Sequence, residues 1–323
     1  MNQYSRQALV GSIGHSHISL AIADIDALTI ENFALLDTDD FTNPIDAIAR
    51  YLASTPSRPD LVGLAVDGVV ERDVARMSRP AWSITSEDIK AATGASTVCF
   101  VQEIEAMARM LPTLSDDDVV ALDANEIDPV APKLLVVAGT GFSTASLVHS
   151  HGRWVTTTSL AGGLAFQARS GDEFNIEQAF AGQPHISLDA VFSGSGLEAL
   201  YRGMTAARGE QDERLRASQI TERAFLGESE VAMEAVELIA TWLARAVSDL
   251  AALFDARGGV YLAGGLCASL VPVLATPRFE KAFREKGSLQ PYLSSLPVMV
   301  IKLGADVALR GAAIALSANM AQP

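Results

Sequence analysis

Two stretches of this chain repeat one another: Ala8–Ile22 reads ALVGSIGHSHISLAI and Leu134–Val148 reads LLVVAGTGFSTASLV. Each is an apolar strand, a glycine turn, and a returning strand in which small and apolar residues alternate. An internal repeat of one supersecondary unit constrains the fold strongly, because each copy needs its own partners to bury its apolar face. The segments after each copy supply them. Asn43-Pro44 places a capping side chain and then proline at the first position of a helix. Ile45, Ile48, Ala49 and Leu52 follow on one face of it. Leu61–Val66 reads as a buried strand, and Val98–Val101 as another that runs into a helix from Glu103 to Met110, stopped by Pro112. Strands alternating with helices predict an α/β architecture.

The second half restarts the pattern after an acidic turn, Ser115–Asp118, and a loop with two prolines between Asn125 and Lys133. A helix capped by Ser229 and running to Ala256, about 28 residues or roughly 42 Å, carries an apolar stripe of Val236, Leu243, Val247, Leu250 and Phe254. That stripe is read as core or as the seam of a homodimer. Val260–Ala263 and Leu296–Ile301 are further strands, Ala206–Ser218 a solvated loop, and Asp306–Ala318 a last helix. The expected organisation is a smaller lobe over residues 1–113, completed by the C-terminal helix in 306–323, and a larger lobe over 114–305. The boundary falls between Leu111 and Asp118 and is crossed again near Gly304.

Composition narrows the function. Hydrophobic residues make up 49% of the 323, more than a disordered chain carries. With 24 Lys and Arg against 39 Asp and Glu, the net charge of −15 repels phosphate backbones and argues against nucleic acid as a partner. Cys99 and Cys267 are the two cysteines, too few for a disulfide framework or a cysteine-built zinc site. No leader and no membrane-spanning run is apparent, so the expected location is the cytoplasm.

Glycine turns at strand ends are the candidate chemistry. A backbone without Cβ atoms brings several N–H groups against a phosphate. Three such turns occur: Gly11–Ser16, Gly139–Thr144, and Gly264-Gly265. A dinucleotide-binding turn is excluded, because Phe142–His149 alternates like a strand instead of opening a helix. A P-loop is excluded too, since no glycine-lysine-serine or -threonine run follows a strand.

Taken with their order and spacing over nearly the whole chain, these motifs resemble the bacterial glucokinases of the hexokinase-type, actin-like superfamily. Gly139-Thr140-Gly141 is similar to the second phosphate motif of that family. Val191–Leu197 with Leu200-Tyr201-Arg202 resembles its SGxGL segment, Tyr261–Gly265 its adenosine motif, and the stretch from Phe279 its C-terminal region. The resemblance implies a two-lobed, ribonuclease H-like fold with a cleft in which ATP, Mg²⁺ and a sugar meet, and phosphoryl transfer to a hexose hydroxyl. It places Gly11, Ser12, Gly14, Ser16, Gly139, Thr140, Gly141, Gly264 and Gly265 on the nucleotide. Gln102, Glu103, Leu160, Gly163 and Asp189 fall on the sugar, with Glu103 as the catalytic base.

The chain departs from that family where chemistry is expected. The first phosphate motif, Asp-x-Gly-Gly-Thr-Asn in the family, reads Ser12-Ile13-Gly14-His15-Ser16-His17. Ser12 stands where a carboxylate helps hold Mg²⁺, and His15 puts a ring where backbone approaches phosphate. The Asn-Asp pair before a helix becomes Gln102-Glu103. Glu103 can still accept a hydroxyl proton, but its extra methylene moves the carboxylate by about 1 Å, a displacement that costs on the order of 10²-fold. Glu-Gly-Gly-His becomes Leu160-Ala161-Gly162-Gly163, and a further glutamate becomes Asp189. Each buried sugar hydroxyl without a partner costs roughly 1–3 kcal/mol. Glucose turnover is therefore expected to be absent, or at least about 10³-fold below a typical kinase rate. The rival readings are an inactive homologue that senses a ligand or binds a partner, and a kinase for a less polar sugar or polyol.

Other residues weigh less. The pairs His15/His17 and His149/His151 are read as exposed polar edges and not as metal ligands, and no metal site is expected from the protein's own residues. His185 precedes the Asp189 segment. Asp67 and Asp73 are read as acidic loop residues.

Overall fold

The first repeat folds as β1 (Gln7–Ile13) and β2 (His17–Asp24), paired antiparallel from Gln7↔Asp24 to Ile13↔Ile18. In the computed structural model, which describes residues 6–77, 81–169, 171, 173, 178–180, 184–211, 213–302 and 306–320, the chain divides into two compact units. One is Met1–Thr113 with Gly304–Pro323, the other Leu114–Leu303. The expected recrossing near Gly304 and the end of the expected 306–323 helix, from residue 321, lie outside the described residues.

In the first unit, β3 (Thr29–Asp37) extends the hairpin, helix α1 (Pro44–Ser54) follows, and β4 (Leu61–Val66) lies parallel to β1. A small sheet of β5 (Gly68–Glu71), β6 (Val74–Met77) and β7 (Ser83–Thr85) leads to α2 (Ser86–Thr93). Next come β8 (Thr97–Gln102), parallel to β4, and α3 (Glu103–Met110). The main sheet has the order β3-β2-β1-β4-β8. Alternation along β1 sends Leu9 and Ile13 to one face, against Ile48 of α1 and Leu64. It sends Ala8 and Val10 to the other, against Leu309, Ala313 and Leu316 of the C-terminal helix (Val307–Met320).

The second unit repeats this plan. After β9 (Val119–Ala121), the second repeat forms β10 (Lys133–Ala138) and β11 (Phe142–Ser150), joined antiparallel by β12 (Arg153–Ser159). β13 (Val260–Ala263) and β14 (Val298–Ile301) continue the sheet in parallel, giving the order β12-β11-β10-β13-β14-β9. Its first five strands match the order of the first sheet, which is the internal duplication seen at the level of topology. Helices α4 (Leu188–Val191), α5 (Gly194–Ala207), α6 (Ala217–Phe225) and α7 (Glu230–Leu253) precede β13. Helices α8 (Gly265–Leu274), α9 (Pro277–Arg284) and α10 (Gln290–Ser294) follow it, and the Val307–Met320 helix is α11.

Several elements correct the expectations. The long helix is shorter, 24 residues, because Phe254 caps it and Asp255 turns into the left-handed region at φ 49°. Its Val236, Leu243, Val247 and Leu250 are fully buried in the second unit, so this stripe is core and not a dimer seam. The last strand starts at Val298, since Pro297 has no N–H for the ladder. The Ala206–Ser218 loop shrinks between α5 and α6. Among the described residues no helix is long and apolar enough to cross a membrane.

Candidate active site

In the first unit the parallel strands β1, β4 and β8 end side by side, with Ile13 opposite Val66 and Val66 opposite Gln102. Ligand chemistry in α/β sheets gathers at such carboxyl ends. The Gly14-His15-Ser16 turn is pinned there: the Gly14 amide donates to His17 O at 3.0 Å, the Thr38 amide to Ser16 O at 3.0 Å, and the Thr38 hydroxyl to Gly14 O at 3.3 Å. Ser12, nearly buried, points to the face of the sheet that α3 and α11 cover. Its hydroxyl donates to Glu103 Oε1 at 2.7 Å. Glu103 is the first residue of α3, and Gln102 is its cap without a side-chain capping bond. The helix is held close to α11, because a Cβ on Gly311 would stand 2.0 Å from Ala106 O.

Glu103 retains some solvent contact, yet its surroundings are dry enough that burial pushes its carboxyl above the ordinary range. The Ser12 hydrogen bond works against that rise, and the negative Asp67 adds to it. Asp67 acts on this carboxyl from the exposed bend after β4, where its amide donates to Ile13 O at 3.0 Å. A carboxyl raised by burial is closer to the poise of a general base.

In the second unit Gly139-Thr140-Gly141 closes a hairpin, with the Gly139 amide donating to Gly141 O at 2.9 Å. The Asp189 carboxylate accepts the Phe142 amide at 2.7 Å. Gly194, at the start of α5, donates its amide to Gly139 O at 2.9 Å. The end of β13 approaches the same turn: Gly264 sits at φ 94° with a Cβ position only 2.2 Å from Ala138 O, and a Cβ on Gly139 would stand 3.1 Å from the Gly265 amide nitrogen. Gly265 opens α8 with nothing within 4 Å of its Cβ position. The exposed Thr140 and the amides of the first turn of α8 thus make a bare, donor-rich cradle of the kind that accepts phosphate.

Gly264→Ala is expected to cost ~1–3 kcal/mol for a positive-φ extended backbone that is essentially glycine's alone and overpacking of ~1–3 kcal/mol, read as a lower urea midpoint. Gly265→Ala, in open space, should leave the unfolding free energy within about 0.5 kcal/mol of the parent.

The remaining expected residues are placed as follows. Gly11 lies inside β1, where a Cβ would meet Leu64 at 2.7 Å and Leu20 at 2.8 Å, so its missing side chain serves the core. Leu160 is 94% exposed and heads the turn Ala161–Gly163. Gly163 has open space at its Cβ position, and its carbonyl meets His185 Nε2 at 2.8 Å. A Cβ on Gly162 would strike Phe142 O at 2.3 Å, so this loop is seated on the same residue that Asp189 holds. The two His-x-His pairs do not act as strand pairs: His15 lies in the turn, His149 packs on Trp154 at 5.0 Å, and His151 turns at φ 50°. Burial pushes Cys99 up to about 11 and Cys267 to about 12, leaving both as inert thiols. Among the described residues no group of three His, Cys, Asp or Glu gathers for a metal. The Val191–Leu197 segment is legible in sequence, with Ser193 capping α5 through the Gly196 amide, but its bond from Gly194 to Gly139 O and the role of the Phe142 amide are not.

The family model described as Glucokinase matches residues 9–319. The chain is 30% identical over 301 residues to a glucokinase of Rhizobium etli, covering 91% of this chain and 86% of that protein. It superimposes on the crystal structure of a glucokinase from an Antarctic psychrotroph with TM-score 0.84 at 27% identity, covering 97% of this chain and 99% of that one. A ROK family glucokinase from Streptomyces griseus, solved with glucose and AMPPNP, shares the fold at TM-score 0.67 and 19% identity, covering 95% and 98%.

Proposed function

The chain belongs to the glucokinase family and has its actin-like, two-lobed α/β fold, and from that premise we propose an ATP-dependent sugar kinase whose turnover of glucose is weak or absent. The observation that carries this reading is the 2.7 Å bond from Ser12 to Glu103. A carboxylate held by a buried hydroxyl, at the head of a helix and raised by burial, is kept ready to take a hydroxyl proton. The second unit supports the nucleotide assignment through the cradle of Gly139, Thr140, Gly141, Gly264 and Gly265.

When bound, Mg²⁺ neutralises charge on the phosphates. Ser12 offers it no charge, which leaves Glu103 and Asp67 as the carboxylates of this end of the sheet. That is compatible with a Mg²⁺ held chiefly by phosphate oxygens and water. In this reading Glu103 takes the acceptor proton, and the glycine-turn amides of the second unit orient the phosphates.

The exposure of Leu160 at 94%, where a hydroxyl-binding acid is expected, also favours a second reading, a homologue that binds a ligand without turning it over. ADP release from Mg-ATP, measured with glucose and with a panel of deoxy sugars and polyols, separates the two. Acceptor-dependent ADP with a member of the panel supports the kinase; none at micromolar protein removes it. In the same assay Leu160→Glu is expected to raise kcat/KM for glucose by about tenfold or more, the worth of one charged hydrogen bond to a hydroxyl.

A further inference from the structure

Three segments of the second unit meet at one peptide. The Asp189 carboxylate accepts the Phe142 amide at 2.7 Å. The turn before it, Gly139–Gly141, passes so close that a Cβ on Gly141 would stand 2.6 Å from Asp189 Oδ1. The loop Leu160–Gly163 presses on the same residue from the other side, its Gly162 Cβ position 2.3 Å from Phe142 O and 3.5 Å from Asp189 Cβ. That loop is tied to β11 a second time, since the Ser159 hydroxyl pairs with Thr144 and accepts the Ala161 amide at 3.2 Å.

From this junction we infer that Asp189 is a positioning residue that locks the Gly139–Gly141 turn and couples it to the 160–163 loop. The inference rests on the kinase reading for its consequence, not for its geometry. Three features support it. Oδ1 is committed to the Phe142 backbone amide, and an amide deprived of its acceptor at a buried residue such as Phe142 costs stability. Asp189 lies in the first turn of α4, whose cap Ser187 accepts from Ala190, so the carboxylate is carried by a fixed backbone. The next helix, α5, reaches the other side of the same turn through the Gly194 amide. The nucleotide-side turn is thus clamped from Asp189 and Gly194 together. A ligand displacing the 160–163 loop would shift Phe142 and with it the turn, which gives acceptor binding a route to nucleotide affinity.

Amide exchange at Phe142 and calorimetric binding of ATP, both in the full chain, test this. Asp189→Ala should speed Phe142 exchange and weaken ATP by about tenfold or more, the loss of one charge-assisted bond. Asp189→Asn, whose amide oxygen can still accept, should stay within about threefold of the parent on both measures. Gly141→Ala alone should behave like Asp189→Ala, and the double change should be no worse than either, because removing the carboxylate vacates the space that the new methyl needs. Unchanged Phe142 exchange in Asp189→Ala, or equal loss in Asn and Ala, overturns the assignment. Faster Phe142 exchange in Asp189→Ala, found together with a parent chain that binds no ATP, leaves the lock standing and removes the kinase reading instead. Thermal unfolding of each variant identifies any that fails to fold, and the Asn variant then decides.

Discussion

Glu103→Gln is expected to abolish acceptor-dependent ADP release and, at the same time, to raise the melting temperature at neutral pH. Loss of a general base costs about 10²–10⁴-fold in kcat, so residual turnover should fall at or below that range. The stability gain follows from the direction of the carboxyl's shift. Burial and Asp67 raise it in the folded chain above the ordinary 4.5. A raised acid binds more protons folded than unfolded, so stability falls as pH climbs from about 4.5 through the folded value, and above that the deficit is complete. Glutamine carries no charge to desolvate, and its oxygen can still accept from Ser12. Melting curves of parent and variant should therefore differ at pH 7–8, with the variant higher, and converge below pH 4.5. A variant that melts lower than the parent at pH 7.5 would show that the charge stabilises this end of the sheet.

Ser12→Asp should be the most damaging single change to the first unit. It sets a second carboxylate where a hydroxyl now donates to Glu103 Oε1 at 2.7 Å, with Asp67 raising the local negative potential further. Two carboxylates at that separation cannot both ionise without penalty. An uncompensated charge in such a place costs ~3–5 kcal/mol, expected here as a loss of that order in urea unfolding at pH 8. The loss should shrink as the pH falls and one carboxyl of the pair takes up a proton. In the Glu103→Gln background the same change should cost less than about 1 kcal/mol, because the amide can donate to the new carboxylate. A cycle of the four proteins should give a coupling of roughly 2–4 kcal/mol, whereas additive effects would mean that the two positions do not sense one another. The serine at position 12 and the glutamate at position 103 are in this sense one unit shared between strand β1 and helix α3. Restoring a carboxylate at the first alone cannot recover a metal-anchoring site.

Much of the fold was legible because it is local. The β1–β2 and β10–β11 hairpins, the Asn43 cap of α1, the strand Leu61–Val66 and the start of α3 at Glu103 are written in neighbouring residues, where period and capping decide. The pairing of β9 with β14 was not, because three residues from Val119 carry no periodic signal and only the edge of a finished sheet gives them a partner. The site divides in the same way. Glycines at strand ends and a carboxylate at a helix start are visible in sequence, but the work of each is not. Gly11 and Gly14 look alike in the chain; the one serves the packing of Leu20 and Leu64, the other the turn.

By itself the sequence determined the duplicated hairpins, the α/β alternation and which residue types stand at the strand ends, since these depend on side-chain order over a few residues and on backbone freedom at glycine. Only the tertiary structure decided that Ser12 reaches Glu103 across 91 residues and that Asp189 holds Phe142 across 47. Contacts of that separation follow from how strands and helices pack against one another.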